Sequence, residues 1–174
     1  MKFAQALGLI IVLCSLDLVL AGGVGIPKKE DVPKYLKMLL NSKVAADRAK
    51  AAEMLGKRGG INANDVEDAI EPLQKSLQKD IDASVRAASA RALGNIHSQP
   101  EATVPLLIER LTKDSSKDVK MAAVVALGQF GPDAKEAVPP LREYGKMFDA
   151  KKSKDGQTIM SALQSITGAK KKKG

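Results

Sequence analysis

The stretch Val85-Arg86-Ala87-Ala88-Ser89-Ala90-Arg91-Ala92-Leu93-Gly94-Asn95-Ile96 decides the reading of this chain, because it returns. Asp47-Arg48-Ala49-Lys50-Ala51-Ala52-Glu53-Met54-Leu55-Gly56 and Val119-Lys120-Met121-Ala122-Ala123-Val124-Val125-Ala126-Leu127-Gly128 align with it without gaps, and Ile159-Met160-Ser161-Ala162-Leu163-Gln164-Ser165-Ile166 is a weaker fourth copy. With Leu55, Leu93, Leu127 and Leu163 as markers, the copies stand 38, 34 and 36 residues apart. A period of that length fits a helix-turn-helix repeat, and such repeats stack because one alone cannot bury its apolar face. Val85, Leu93 and Ile96 supply the ridge to be buried, while Ala88, Ser89, Ala90 and Ala92 let a neighbouring helix approach closely.

Each copy is preceded by a partner segment, at residues 32–40, 69–77, 104–111 and 138–144. Apolar residues recur there at helical spacing, as in Leu73 and Leu77 or Leu107 and Leu111. Pro33, Pro105 and Pro139 suit a first helical turn, where the missing N–H has no helical partner; Pro72 lies deeper and is expected to kink its helix. Arg58-Gly59-Gly60, Ser98-Gln99-Pro100 and Gly131-Pro132-Asp133 separate the pairs with turn chemistry.

Composition points the same way. Of 174 residues 44% are hydrophobic, yet there is no Trp, only 2 Tyr and 3 Phe, so the core must be built from Leu, Ala, Val, Ile and Met. Ala and Leu lead the helix scale and strands prefer aromatic and β-branched residues, which excludes a β-sandwich or barrel. The expected fold is all-α: a right-handed α-solenoid of four helical hairpins over residues 32–168, after a linker at residues 22–31.

The Val85 to Ile96 segment resembles the second helix of a HEAT repeat, in the short bacterial form named after phycobilisome lyase subunits. The resemblance covers about residues 32 to 168 and is strongest in the second and third copies. In the first, Asp47 stands where the pattern has Val; in the fourth, Gln164 replaces Gly. Atypical ends are what a solenoid needs to cap its core.

Both termini carry separate signals. Lys2, an apolar run over residues 6–20 and Val19-Leu20-Ala21 before Gly22 read as a secretory signal peptide, residues 1–21, cleaved after Ala21; an uncleaved amino-terminal anchor is the alternative. Asp17 interrupts the run, which is short for a spanning helix. The single cysteine, Cys14, lies inside it, so a mature exported chain would have neither a thiol nor a disulfide. Residues 169–174 form a tail with Lys170, Lys171, Lys172 and Lys173, half of the formal charge of +8. Such a run solubilises, or attaches weakly to acidic lipid or polysaccharide. Nucleic acid is not expected as a partner, because few aromatics are present to stack bases. Lys151-Lys152-Ser153-Lys154 is a second basic patch.

Little in the chain resembles catalytic machinery, so no cofactor, no metal site and no enzymatic activity are expected. His97 is the only histidine and is assigned a structural or surface role. Metal centres combine several His or carboxylate ligands, and the iron-binding deoxyhypusine hydroxylases built on similar repeats would demand several His-Glu pairs. No serine stands in a Gly-x-Ser-x-Gly elbow. Arg48, Arg86 and Lys120 recur at one repeat position and are expected to pair with turn carboxylates, Asp82 and Asp114 or Asp118, registering neighbouring repeats.

What remains is a surface. Glu53 and Lys57, Arg91 and Asn95, Val125 and Gln129, and Ser161 and Ser165 occupy equivalent positions on one side of the second helices, which stack into a ladder. The function expected is a non-enzymatic scaffold of the periplasm or cell envelope that binds an unidentified protein through this ladder. The alternatives are a lyase-like accessory factor or other enzyme subunit, and a polyanion or membrane-surface binder acting through the lysine tail.

Overall fold

The computed structural model describes residues 25–149 and 152–168. The signal-peptide segment, residues 1–21, and the lysine tail lie outside the described residues, as do Lys151 and the first residues of the linker.

Among the described residues eight α-helices pair into four hairpins: α1 (Val32–Asn41) with α2 (Ala45–Gly59), α3 (Glu67–Lys79) with α4 (Ala83–Ile96), α5 (Pro100–Lys113) with α6 (Lys117–Phe130), and α7 (Val138–Gly145) with α8 (Lys154–Thr167). First helices pack on first helices and second helices on second helices, so the hairpins stack in chain order. This is an all-α solenoid of HEAT-like hairpins. Leu73, Leu77, Leu107 and Leu111 on the first helices meet Leu55, Val85, Leu93, Val119 and Leu127 on the second, all buried in one continuous core.

The second helices lie closer together than the first, and the Leu-Gly step is the cause. A Cβ on Gly56 would fall 2.6 Å from Ala92 Cα, and one on Gly94 would fall 2.7 Å from Ala126 Cα. One on Gly128 would stand 3.0 Å from Ala162 Cα. Each Gly is thus the seat for the alanine of the following repeat. Gln164 replaces Gly where no described helix follows, and Met54 replaces Ala where no described hairpin precedes. The Asp47 anomaly has the same origin: it is exposed and accepts the Ser42 hydroxyl at 3.0 Å, whereas Val85 and Val119 at that position are buried.

Pro33 and Pro139 stand in the first turns of α1 and α7 as expected, and Pro105 does not. Helix α5 begins at Pro100, so Pro105 lies inside it and not in its first turn; Pro72 lies inside α3, as its depth in the segment implied. At the other hairpins the segment before the first helix is a 3₁₀ turn, Lys29–Asp31, Ala63–Val66 and Gly131–Ala137. The end of the linker is therefore structured, and Lys29 reaches Asp65 of the next connection at 3.2 Å.

His97 closes α4 in the left-handed conformation with φ +51°, as Gly168 closes α8; Gly131 after α6 has a positive φ of +50° but a different ψ. Its N–H donates to Leu93 O at 3.0 Å and its ring stands edge-on to Phe130, 5.0 Å between centroids. That is a helix-capping role.

Candidate functional site

Two rows of side chains repeat along the stack, one at the hairpin turns and one on the open face of the second helices. At the turns, Arg48 donates from Nε and Nη2 to Asp80 at 2.7 and 2.8 Å, and from Nη1 to Ser42 O at 3.0 Å. Arg86 repeats this with Asp114, at 2.8 and 2.9 Å, and with Asp80 O at 2.9 Å. Each arginine therefore holds its own turn and clamps the next, a bidentate geometry that fixes register. Burial is the largest influence on Asp80 and on Asp114 and pushes both carboxyls up. It is outweighed by the arginine, together with the backbone N–H of Asp82 or Ser116, so both stand below the ordinary carboxylate range.

The expected partner of Arg48 is corrected by this geometry. Asp82 accepts the Ser84 N–H at 2.8 Å and caps α4, and Asp80, two residues earlier, receives the arginine. Lys120 makes no such clamp; its ammonium lies 5.7 Å from the centroid of Tyr144. The ladder therefore spans the first three turns and changes chemistry at the fourth.

On the second-helix face, Glu53, Arg91, Asn95, Val125, Gln129, Ser161 and Ser165 are exposed and Lys57 is half-buried. A groove of about 690 Å³ runs between α2 and α4, and Glu53, Lys57, Arg91 and Asn95 line it over a floor that includes Ala49, Ala88 and Ala92. A second groove of about 420 Å³, between α4 and α6, contains Arg91, Met121 and Val125. Arg91 is thus shared by both grooves, and among the described residues its guanidinium has no carboxylate partner. Lys57 pairs with Glu53 at 2.8 Å, and Gln129 Nε2 donates to Asn95 Oδ1 at 2.8 Å, tying α6 to α4 at the rim.

The face divides after Gln129. Ser161 and Ser165 are exposed on α8 but line neither groove, where Thr158 stands instead. Lys50, Ser84 and Met121 also line the grooves and escaped the sequence reading. Lys50 lies three residues before Glu53, so extending the ladder by one helical turn would have found it. Among the described residues there is no group of three or more His, Cys, Asp or Glu side chains placed to hold a metal ion.

With the geometry in place, the comparison with known families is direct: residues 70–150 match the family of HEAT repeats. The match spans hairpins two and three and reaches the end of α7. These repeats are in general protein–protein interaction scaffolds and typically non-enzymatic. No curated protein matches the chain.

Proposed function

We propose that this protein is a binding scaffold of the cell envelope that receives a protein partner in the groove between α2 and α4. One observation carries the reading: Arg91, a cation with no carboxylate partner among the described residues, stands between two adjoining alanine-lined grooves, the first rimmed by polar side chains and the second also by Met121 and Val125. An alanine floor admits a partner close to the helix backbones, and a central arginine is a favoured binding hot spot. The repeats are taken to be the phycobilisome-lyase-type form, on the strength of the Ala-Leu-Gly step. Export rests on Lys2, the apolar run and the small residues before Gly22, and Gly22 as the amino terminus of native protein is its test.

The test of the groove is capture from an envelope extract by wild type and by the triple variant Arg91→Glu, Asn95→Ala, Gln129→Ala. Stability should shift by about 0.5 kcal/mol or less, since all three are exposed. Capture should weaken by about 2 kcal/mol or more. A folded triple variant that captures the same protein equally well overturns the assignment.

A further inference from the structure

The stacking order puts the four hairpin turns along one edge of the solenoid and the three connections between hairpins along the other. The two edges differ in chemistry. The connection edge carries Glu67, Asp68, Glu101, Asp133 and Glu136, all exposed. At the turn edge the buried carboxylates are neutralised inward, Asp80 and Asp114 by Arg48 and Arg86, and Asp82 caps α4; Asp47, Asp118, Glu143 and Asp149 are exposed there, with Glu143 paired to Lys146 at 2.6 Å. Lysines also take outward positions. Lys43 and Lys79 are exposed and have no carboxylate partner among the described residues, and Lys113 and Lys146 flank the later turns.

Between these lysines, apolar side chains stand at the tips. Ile81 is 93% exposed, Met147 75% and Val44 56%. The cause is local: Asp80 and Asp82 are both committed to inward hydrogen bonds, which leaves Ile81 between them facing water. The tips are separate, one at each of the first, second and fourth turns, with Ser115 at the third, and neighbouring turns are spaced by roughly the 10 Å of helix packing. A folded protein partner needs a contiguous complementary patch. Isolated apolar tips along one edge, flanked by lysines with long apolar stems, match instead a soft laminar surface with anionic headgroups over hydrocarbon.

We propose that the turn edge docks on a bilayer surface containing anionic phospholipid, with Val44, Ile81 and Met147 entering between headgroups. No described helix is long and apolar enough to cross a membrane, so the contact is lateral. The inference uses none of the groove residues, and α8 ends at the opposite edge, so the lysines after residue 169 are a separate source of attraction.

The experiment uses the full chain in a Cys14→Ser background, with a polarity-sensitive fluorophore on Ile81→Cys, Met147→Cys or, at the opposite edge, Asp133→Cys. Vesicles are phosphatidylcholine alone or phosphatidylcholine with about one third phosphatidylglycerol. The expected result is a blue shift at positions 81 and 147 with the anionic vesicles only, and no shift at 133. It should persist after deletion of residues 169–174 and weaken as salt rises. Lys43→Glu with Lys79→Glu should cut vesicle affinity at least about tenfold without altering the melt. The proposal fails if position 81 does not respond, if 133 responds equally, if neutral vesicles act as well, or if deleting the tail alone abolishes the shift. A response at 81 to soluble envelope protein and none to vesicles would assign the edge to a protein and overturn it too.

Discussion

Hairpins two and three and hairpins one and four are cut from one template, yet the middle pair keeps the pattern and the outer pair departs from it. In α4, Val85, Leu93 and Gly94 are all buried because a hairpin lies on each side. In α2 the Val position is an exposed Asp47; in α8 the Leu position, Leu163, is only half-buried and the Gly position is Gln164. The same register position is therefore core or surface according to whether a described helix packs beside it. A repeat residue is specified by the helix it will meet.

The comparison breaks most visibly at the marker leucine. Leu93→Ala empties a site 1% exposed and should cost about 2 to 5 kcal/mol. Leu163→Ala should cost about 1 kcal/mol, because part of its side chain already faces solvent. Urea midpoints of the two variants would show it, and equal losses would put α8 under cover.

Next comes the clamp. Arg86→Ala leaves Asp114 buried without its bidentate partner and should cost about 2 kcal/mol, below the range for a fully buried pair because Arg86 retains some exposure. Lys120→Ala, whose cation meets only a ring, should cost about 0.5 kcal/mol. The two clamped carboxyls titrate below their usual range in the folded chain, so the stability they add is complete above about pH 4 and is lost as the pH falls through their folded values. Denaturation at successive pH values should show wild type losing stability below about pH 4 and Arg86→Ala losing less of it.

The Gly seat is the third point of contrast. Gly94→Ala drives a Cβ to 2.8 Å from Ala126 Cβ and must part α4 from α6, at about 1 to 3 kcal/mol. Gln164→Ala at the equivalent place in α8 should lie within about 0.5 kcal/mol of wild type. Melting temperatures would decide between them.

The smallest effect sharpens the equivalence within the core. Ser89 is fully buried and its hydroxyl has no hydrogen-bond partner, while Ala51 and Ala123 fill the same position in the flanking repeats. Ser89→Ala should leave stability unchanged or raise it by up to about 1 kcal/mol in calorimetry. A loss would reveal a role for the hydroxyl.

Much of this was legible in the chain itself. Period, helix pairs and buried leucines follow from hydrophobic spacing, a local property that survives without knowledge of contacts. The boundary of α5 was not legible, because Pro100 suits a turn and a helix start equally and only the stacked neighbours choose. The clamp was half legible: a basic residue at Arg48 and Arg86 was evident, but Asp80 and Asp82 are two carboxylates two residues apart, and the geometry of the turn separates the arginine's partner from the cap. The candidate face was likewise half legible, since i and i+4 spacing assembles Glu53, Lys57, Arg91 and Asn95 and one further turn reaches Lys50, while Ser84 and Met121 enter only when the helices are set side by side.

By itself the sequence determined that this protein is helical, repetitive and stacked, because propensity and periodicity act over a few residues and each copy carries them. Tertiary structure alone decided which alanine sits on which glycine, which aspartate answers each arginine, and that the hairpin turns share one edge with lysines and apolar tips outward. Those outcomes join residues about thirty positions apart. They depend on the distance between packed helices, a quantity that no single repeat contains.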